Sequence, residues 1–173
     1  PRRALSRARR LRVRATFYRL VDARDAHAAL ETGPSFMVGG RYNPAGEFGA
    51  LYVGETTEVC WREKLRQVGG RSEALPAQAL AEIAVDLPRV LDLTDQETLS
   101  ALGIRIADLT DLLNRTLPQR LALEARAAGC DGLLAPSAAG RGRNLVVFRD
   151  RLAGDARVTL LRTHPASPPE TTS

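Results

Sequence analysis

The chain has 173 residues, 44% of them hydrophobic, and a formal net charge of +5. That length suits one domain with a sizeable core, and no apolar run approaches the roughly 18 residues of a membrane-spanning helix. Two cysteines, Cys60 and Cys130, and two histidines, His27 and His164, with no CxxC spacing, argue against a structural zinc site or a disulfide framework.

The basic N-terminus lacks the apolar core of a signal peptide, so the expected location is the cytoplasm, with no membrane partner. The charge itself is unevenly placed. Residues 1–14 hold seven arginines (Arg2, Arg3, Arg7, Arg9, Arg10, Arg12 and Arg14) and no acid, which leaves the rest of the chain at −2. Such an arm can tether nucleic acid or an acidic partner. It is more often a solvated, disordered leader, and that is the expectation for residues 1–14. Lys64 is the sole lysine, so the arginine bias reads as genomic base composition, not phosphate recognition.

The elements follow in order. Residues 15–21 read as a first strand. Asp22 can cap a short helix over about 23–31, ended by Gly33-Pro34. Residues 33–49 contain five glycines and two prolines and are expected to form a long structured loop. Residues 50–54 return as a buried strand. Thr56 or Thr57 caps a helix that stops at Gly69-Gly70. A strand follows over 79–93, broken at Pro88. A short helix runs from Asp95 to Leu102 and is closed by Gly103. Residues 106–128 read as a helical region interrupted at Pro118 and stopped by Gly129. Strands are expected at 132–135, 144–149 and 156–162, around a small-residue loop from Pro136 to Arg143. The tail, 163–173, is rich in proline, serine and threonine and is expected to be disordered. Short strands around two helical stretches indicate an α+β fold of small mixed or antiparallel sheets with flanking helices, in a single domain over 15–162.

Three places carry candidate chemistry. In the loop Gly39-Gly40-Arg41-Tyr42-Asn43-Pro44-Ala45-Gly46, glycines let backbone amides approach an anion. Arg41 there supplies a planar fork for phosphate or carboxylate oxygens, and Tyr42 a ring for stacking. The bland reading is a surface loop with a solvated arginine. On the following helix, Glu63 shares a face with Cys60, and its plainest role is a solvated side chain paired with Arg66 or Gln67, three or four residues on. Its functional role is to stabilise positive charge on a ribose whose glycosidic bond is breaking, and Glu55, nearer the strand end, is its rival. Ser137, after Pro136, is either a turn former or a ligand-binding hydroxyl. No nearby histidine makes it a nucleophile. Cys60 and Cys130 are expected in the core.

These segments, taken together, resemble the RES family, named for an arginine, a glutamate and a serine, whose members are NAD-consuming toxins of bacterial toxin–antitoxin pairs. The resemblance rests on YRL at 18–20, GGRYNPAG at 39–46, ALYVGETTEVCWREKL from Ala50, VLDLT at 90–94, LGI at 102–104, LLAPSA at 133–138, and Asn144. Tyr42 stands where the family usually has tryptophan, which keeps an aromatic ring. The resemblance places the family glutamate at Glu63. It implies a fold similar to the ADP-ribosyltransferases, with NAD+ as substrate and no prosthetic group or metal. Arg41 and Glu63 would be catalytic, Arg19, Tyr42, Tyr52, Ser137 and Asn144 would bind substrate, and inorganic phosphate is a possible co-substrate. It also implies a cognate Xre-type helix-turn-helix antitoxin covering the site, and a toxin homodimer.

Three functions therefore compete. The first is a toxin of a type II toxin–antitoxin system that degrades NAD+ at the nicotinamide–ribose bond, with phosphate or water as acceptor. The second is an ADP-ribosyltransferase acting on a protein. The third is a nucleic-acid-binding or RNA-cleaving toxin using the basic arm. Under the first, no direct nucleic-acid contact is expected, and the −2 body disfavours the third.

Overall fold

The computed structural model describes Leu5 and residues 8–169. Among the described residues there are six strands: β1 (Arg10–Asp22), β2 (Leu51–Gly54), β3 (Gln78–Asp92), β4 (Gly132–Pro136), β5 (Arg143–Val147) and β6 (Arg157–Ala166). Among the same residues, five α-helices accompany them: α1 (Gly33–Val38), α2 (Thr57–Gln67), α3 (Gln96–Leu102), α4 (Ile106–Thr110) and α5 (Thr116–Ala127). The architecture is α+β, and the strands join into one six-stranded sheet in the order β1-β2-β5-β4-β3-β6, with β1 also pairing β3. That last pairing closes β1, β2, β5, β4 and β3 into a ring, and β6 is attached to β3. The β3–β4 pair is parallel and the others antiparallel.

Strand alternation explains the core. Successive side chains point to opposite faces, so Val13, Phe17 and Val21 of β1 meet Ala79, Ala81, Ile83, Val85 and Leu87 of β3 inside the ring, together with Leu51, Val53, Leu134, Leu145 and Val147. The outer face carries two further clusters. One packs Leu91, Leu133, Ala135 and Val146 under Leu99, Leu109, Leu121 and Ala125 of α3, α4 and α5. The other seats Cys60 and Trp61 of α2 on Leu20 and Leu80. Cys130 is also buried.

Several boundaries depart from the sequence expectations. Residues 10–14 are strand: β1 pairs with β3 from Arg10↔Leu91 onward, so the arginines lie along a ladder whose apolar positions face inward. The rest of the arm expected at residues 1–14 lies largely outside the described residues. Likewise 163–166 belong to β6, paired from Ala166↔Gln78, whereas residues 170–173 are not described. Pro88 does not break β3. The register shifts between Val13↔Leu87 and Leu11↔Val90, a bulge that absorbs the missing N–H. The bulge also swaps parity, so that Val90, one residue out of phase with Ile83, Val85 and Leu87, still faces the ring interior. Pro118 does not interrupt a helix either: it is the third residue of α5, where no intrahelical donor is needed. The break falls at 111–115, where Asp111 and Asn114 side chains accept from the backbone N–H of Leu113 (2.9 Å) and Thr116 (3.0 Å) and divert the chain into turns.

Candidate active site

Helix α2 starts where expected, with the Thr56 side chain accepting from Val59 N–H at 3.2 Å. It presents Glu63 toward the ends of β4 and β5. Ser137 Oγ donates to Glu63 Oε1 at 2.7 Å, and Asn144 Nδ2 donates to the same oxygen at 3.0 Å. Arg66, one helical turn on, holds Oε2 at 3.0 Å. Burial pushes the Glu63 carboxyl up, but the donors from Ser137, Arg66 and Asn144 outweigh it and leave the group below its ordinary value. Glu63 is therefore an ionised carboxylate in a polar cradle.

A cleft of about 690 Å³ opens in front of it, lined by residues that include Arg19, Arg41, Tyr42, Tyr52, Glu63 and Asn144. Ser137 is absent from that lining. It is 4% exposed and stands behind Glu63, so its hydroxyl serves the carboxylate. Glu55, the rival acid, faces away from the cleft: its carboxylate accepts from Arg143 N–H at 2.8 Å and Arg143 Nε at 2.7 Å, clasping the turn before β5.

The two arginines of the cleft wall are anchored by backbone carbonyls. Arg41 Nη1 donates to Asp111 O at 2.7 Å and Leu109 O at 3.2 Å. Arg19 Nη1 donates to Ala29 O at 2.7 Å and Glu31 O at 3.2 Å. Neither bond neutralises the charge, and burial lowers both guanidinium pKa values. Tyr42 is only 3% exposed and packs with Phe48 and Ala50 in the core. Its hydroxyl has no hydrogen-bond partner among the described residues. Tyr52 Oη accepts from Tyr42 N–H at 2.9 Å and donates to Asn43 Oδ1 at 2.8 Å. Burial raises the pKa of both phenols, so both are neutral at physiological pH.

Three contributors escaped the sequence reading. Asn43, fully buried, is the hub of the glycine-rich loop: its Nδ2 donates to Ser35 O at 2.8 Å and Phe48 O at 2.9 Å while its Oδ1 accepts from Tyr52. An asparagine between an aromatic and a proline in a loop was the available signal. Gln119 of α5 pins Gly40 O at 2.9 Å. Arg115 lines the cleft from the turn before α5; nothing in its local sequence marks it.

The RES domain profile matches residues 16–167. The chain belongs to the RES domain family. Within that family, this RES domain is 40% identical over 114 residues to a Mycobacterium tuberculosis (strain H37Rv) protein named "Probable NAD(+) phosphorylase", with 63% of this chain and 53% of that protein covered. The chain thus spans about half the length of that curated relative. It also superposes on a chain of the crystal structure of the M. tuberculosis MbcT–MbcA toxin–antitoxin complex with a TM-score of 0.82, at 25% identity, covering 96% of this chain and 92% of the other. Among the described residues of the RES domain, no group of three or more His, Cys, Asp or Glu side chains comes together as a metal site would require. No helix among them is long and apolar enough to cross a membrane.

Proposed function

We propose that this RES domain cleaves the nicotinamide–ribose bond of NAD+, passes the ADP-ribosyl group to phosphate or water, and serves as the toxin of a type II toxin–antitoxin pair that arrests growth. The observation that carries this reading is the placement of one ionised carboxylate, Glu63, in a cleft otherwise charged by Arg19, Arg41, Lys64, Arg66 and Arg115. The volume lies in the range of small-molecule sites, about 300–1,000 Å³. A dinucleotide's pyrophosphate suits the cations. The carboxylate suits the positive charge that builds on the ribose as the C1′–N bond lengthens. Because Ser137, Asn144 and Arg66 hold Glu63 in place, little reorganisation is needed when that charge develops. The names of the relatives, an NAD(+) phosphorylase and a toxin–antitoxin complex, support the same reading.

The roles follow the positions. Glu63 and Arg41 are catalytic, the first facing the ribose and the second the phosphates. Tyr42, Tyr52, Asn144 and Arg19 shape the substrate pocket, and Ser137 orients Glu63. An antitoxin of the Xre helix-turn-helix kind covers the cleft, and the toxin pairs with a second copy of itself. The rim suits a covering partner: Met37 and Val38 at the end of α1, and Leu112 and Leu113 on the segment carrying Arg115, are exposed apolar side chains.

The test is NAD+ concentration over time with purified, antitoxin-free protein, with and without inorganic phosphate, products resolved by mass. Phosphate-dependent loss to a phosphorylated ADP-ribose supports phosphorolysis, and loss to ADP-ribose in both conditions supports hydrolysis. Folded protein that leaves NAD+ intact sinks the reading and favours transfer to a macromolecule.

A further inference from the structure

Of the cationic side chains in the cleft, Lys64 has Asp22 within 3.6 Å, and Arg19 and Arg41 are anchored on backbone carbonyls of the wall. Arg66 and Arg115 are different. The Arg66 side chain is about one-third exposed and, among the described residues, bonds only to Glu63, through one nitrogen. The Arg115 side chain is exposed and makes no hydrogen bond or ion pair among the described residues, yet it lines the same cleft from the opposite element. Around Arg41, then, two further guanidiniums converge with one carboxylate to offset them. Their proximity is felt at Arg41, whose pKa is lowered first by burial and further by repulsion from Arg66 and Arg115. A local excess of guanidinium charge in a partly enclosed site favours a small polyvalent oxyanion, which each planar fork can grip with two N–H groups.

The bond from Arg66 to Glu63 decides which oxyanion. The pyrophosphate of a dinucleotide lies beyond the ribose from the reacting carbon, whereas a nucleophile must reach that carbon, beside Glu63. An anionic nucleophile so close to a carboxylate needs a cation between them, and Arg66 already occupies that place on Oε2. We propose that Arg66 and Arg115 form the site for inorganic phosphate as the acceptor in NAD+ cleavage. This rests on the reading of the cleft given above. In the step, an unprotonated oxygen of hydrogen phosphate forms the bond to C1′. The C1′–N bond breaks, its electron pair leaves with nicotinamide and neutralises the pyridinium, and the phosphate keeps its own proton in the ADP-ribose 1″-phosphate formed.

The test is steady-state NAD+ loss by Arg115→Gln and Arg66→Gln as a function of phosphate and, separately, of NAD+. Arg115→Gln is the cleaner probe, since it leaves every bond to Glu63 intact. Expected for each is a phosphate KM raised about tenfold or more, the loss of one charge-assisted contact, with the NAD+ KM moving less than about twofold. Arg115→Lys should recover part of it, as charge without the fork. Titration of inorganic phosphate alone into the protein, followed by calorimetry, should show the same weakening without turnover. An unchanged phosphate KM overturns the proposal. So does a parallel rise in the NAD+ KM, which would assign these arginines to the pyrophosphate. Wild-type protein whose NAD+ loss ignores phosphate instead overturns phosphorolysis itself, an outcome visible before any variant is made.

Discussion

Ser137 Oγ donates a 2.7 Å hydrogen bond to Glu63 Oε1 across 74 residues of sequence. The serine that follows β4 is thus a support for the carboxylate on α2, and Asn144 at the start of β5 completes the grip. Donors to the charged form depress a carboxyl pKa. Glu63 accordingly sits below its ordinary value and is ionised wherever the protein is folded at neutral pH.

A pH profile tests this. With its folded pKa depressed, Glu63 contributes stability that is present above its unfolded pKa and lost as pH falls through the folded one. Ser137→Ala and Asn144→Ala each remove a donor, so the Glu63 pKa should rise. The acid limb of kcat/KM for NAD+ loss should move to higher pH in both variants. A limb that stays in place would mean that a different group governs it.

The two acids on either side of α2's start should separate cleanly. Glu63→Gln is expected to lower NAD+ turnover on the order of 10²- to 10³-fold, the scale for a group facing charge that develops in the transition state. Glu55→Gln, whose parent clasps Arg143 outside the cleft, should change turnover less than about threefold and cost about 1 kcal/mol of stability. Initial rates and thermal melts of the two purified variants decide it.

Asn43→Ala should be chiefly a stability defect. It strips partners from Ser35 O, Phe48 O and the Tyr52 hydroxyl at a fully buried site, and unsatisfied buried groups cost about 1–3 kcal/mol each. With some relaxation, a loss of about 2–4 kcal/mol is expected. That corresponds to a melting temperature lower by roughly 5–15 °C for a chain of this size. A melt within a degree or two of wild type would show that the loop holds without its hub.

Gly40→Ala probes the same loop from the other side. A Cβ there would lie 2.6 Å from the Tyr52 hydroxyl and 2.8 Å from Asn43 Oδ1, so the Tyr52–Asn43 bond must give way. The backbone carrying Arg41 would shift with it, and a displacement of about 1 Å in a positioned group can cost on the order of 100-fold in rate. Activity should therefore fall further than stability. The ratio of kcat/KM to the change in melting temperature, set beside Asn43→Ala, is the readout.

Much of this protein was legible in its sequence for local reasons. Asp95 and Gly103 bracket α3 because a cap accepts from its own helix, here Thr98 N–H at 2.8 Å, and because Gly103 takes the left-handed turn at φ 67. Through the family resemblance, the ordered segments from Tyr18 to Asn144 marked Arg41, Glu63 and Asn144 as candidate site residues, and all three line one cleft. What depended on pairing partners far along the chain was not legible. Residues 10–14 look like a charged arm, but they are strand because β3 offers a ladder and an apolar interior for Val13. Pro88 looks like a strand end, but a bulge takes it in. Glu55 and Glu63 are indistinguishable by residue type; the family resemblance points to Glu63, and the closed ring of strands turns Glu55 toward Arg143 while it brings Ser137, Asn144 and the cleft to Glu63. Residue types and short spacings act within one element, whereas a carboxylate's charge state and orientation are set by whichever distant donors the fold brings within about 3 Å.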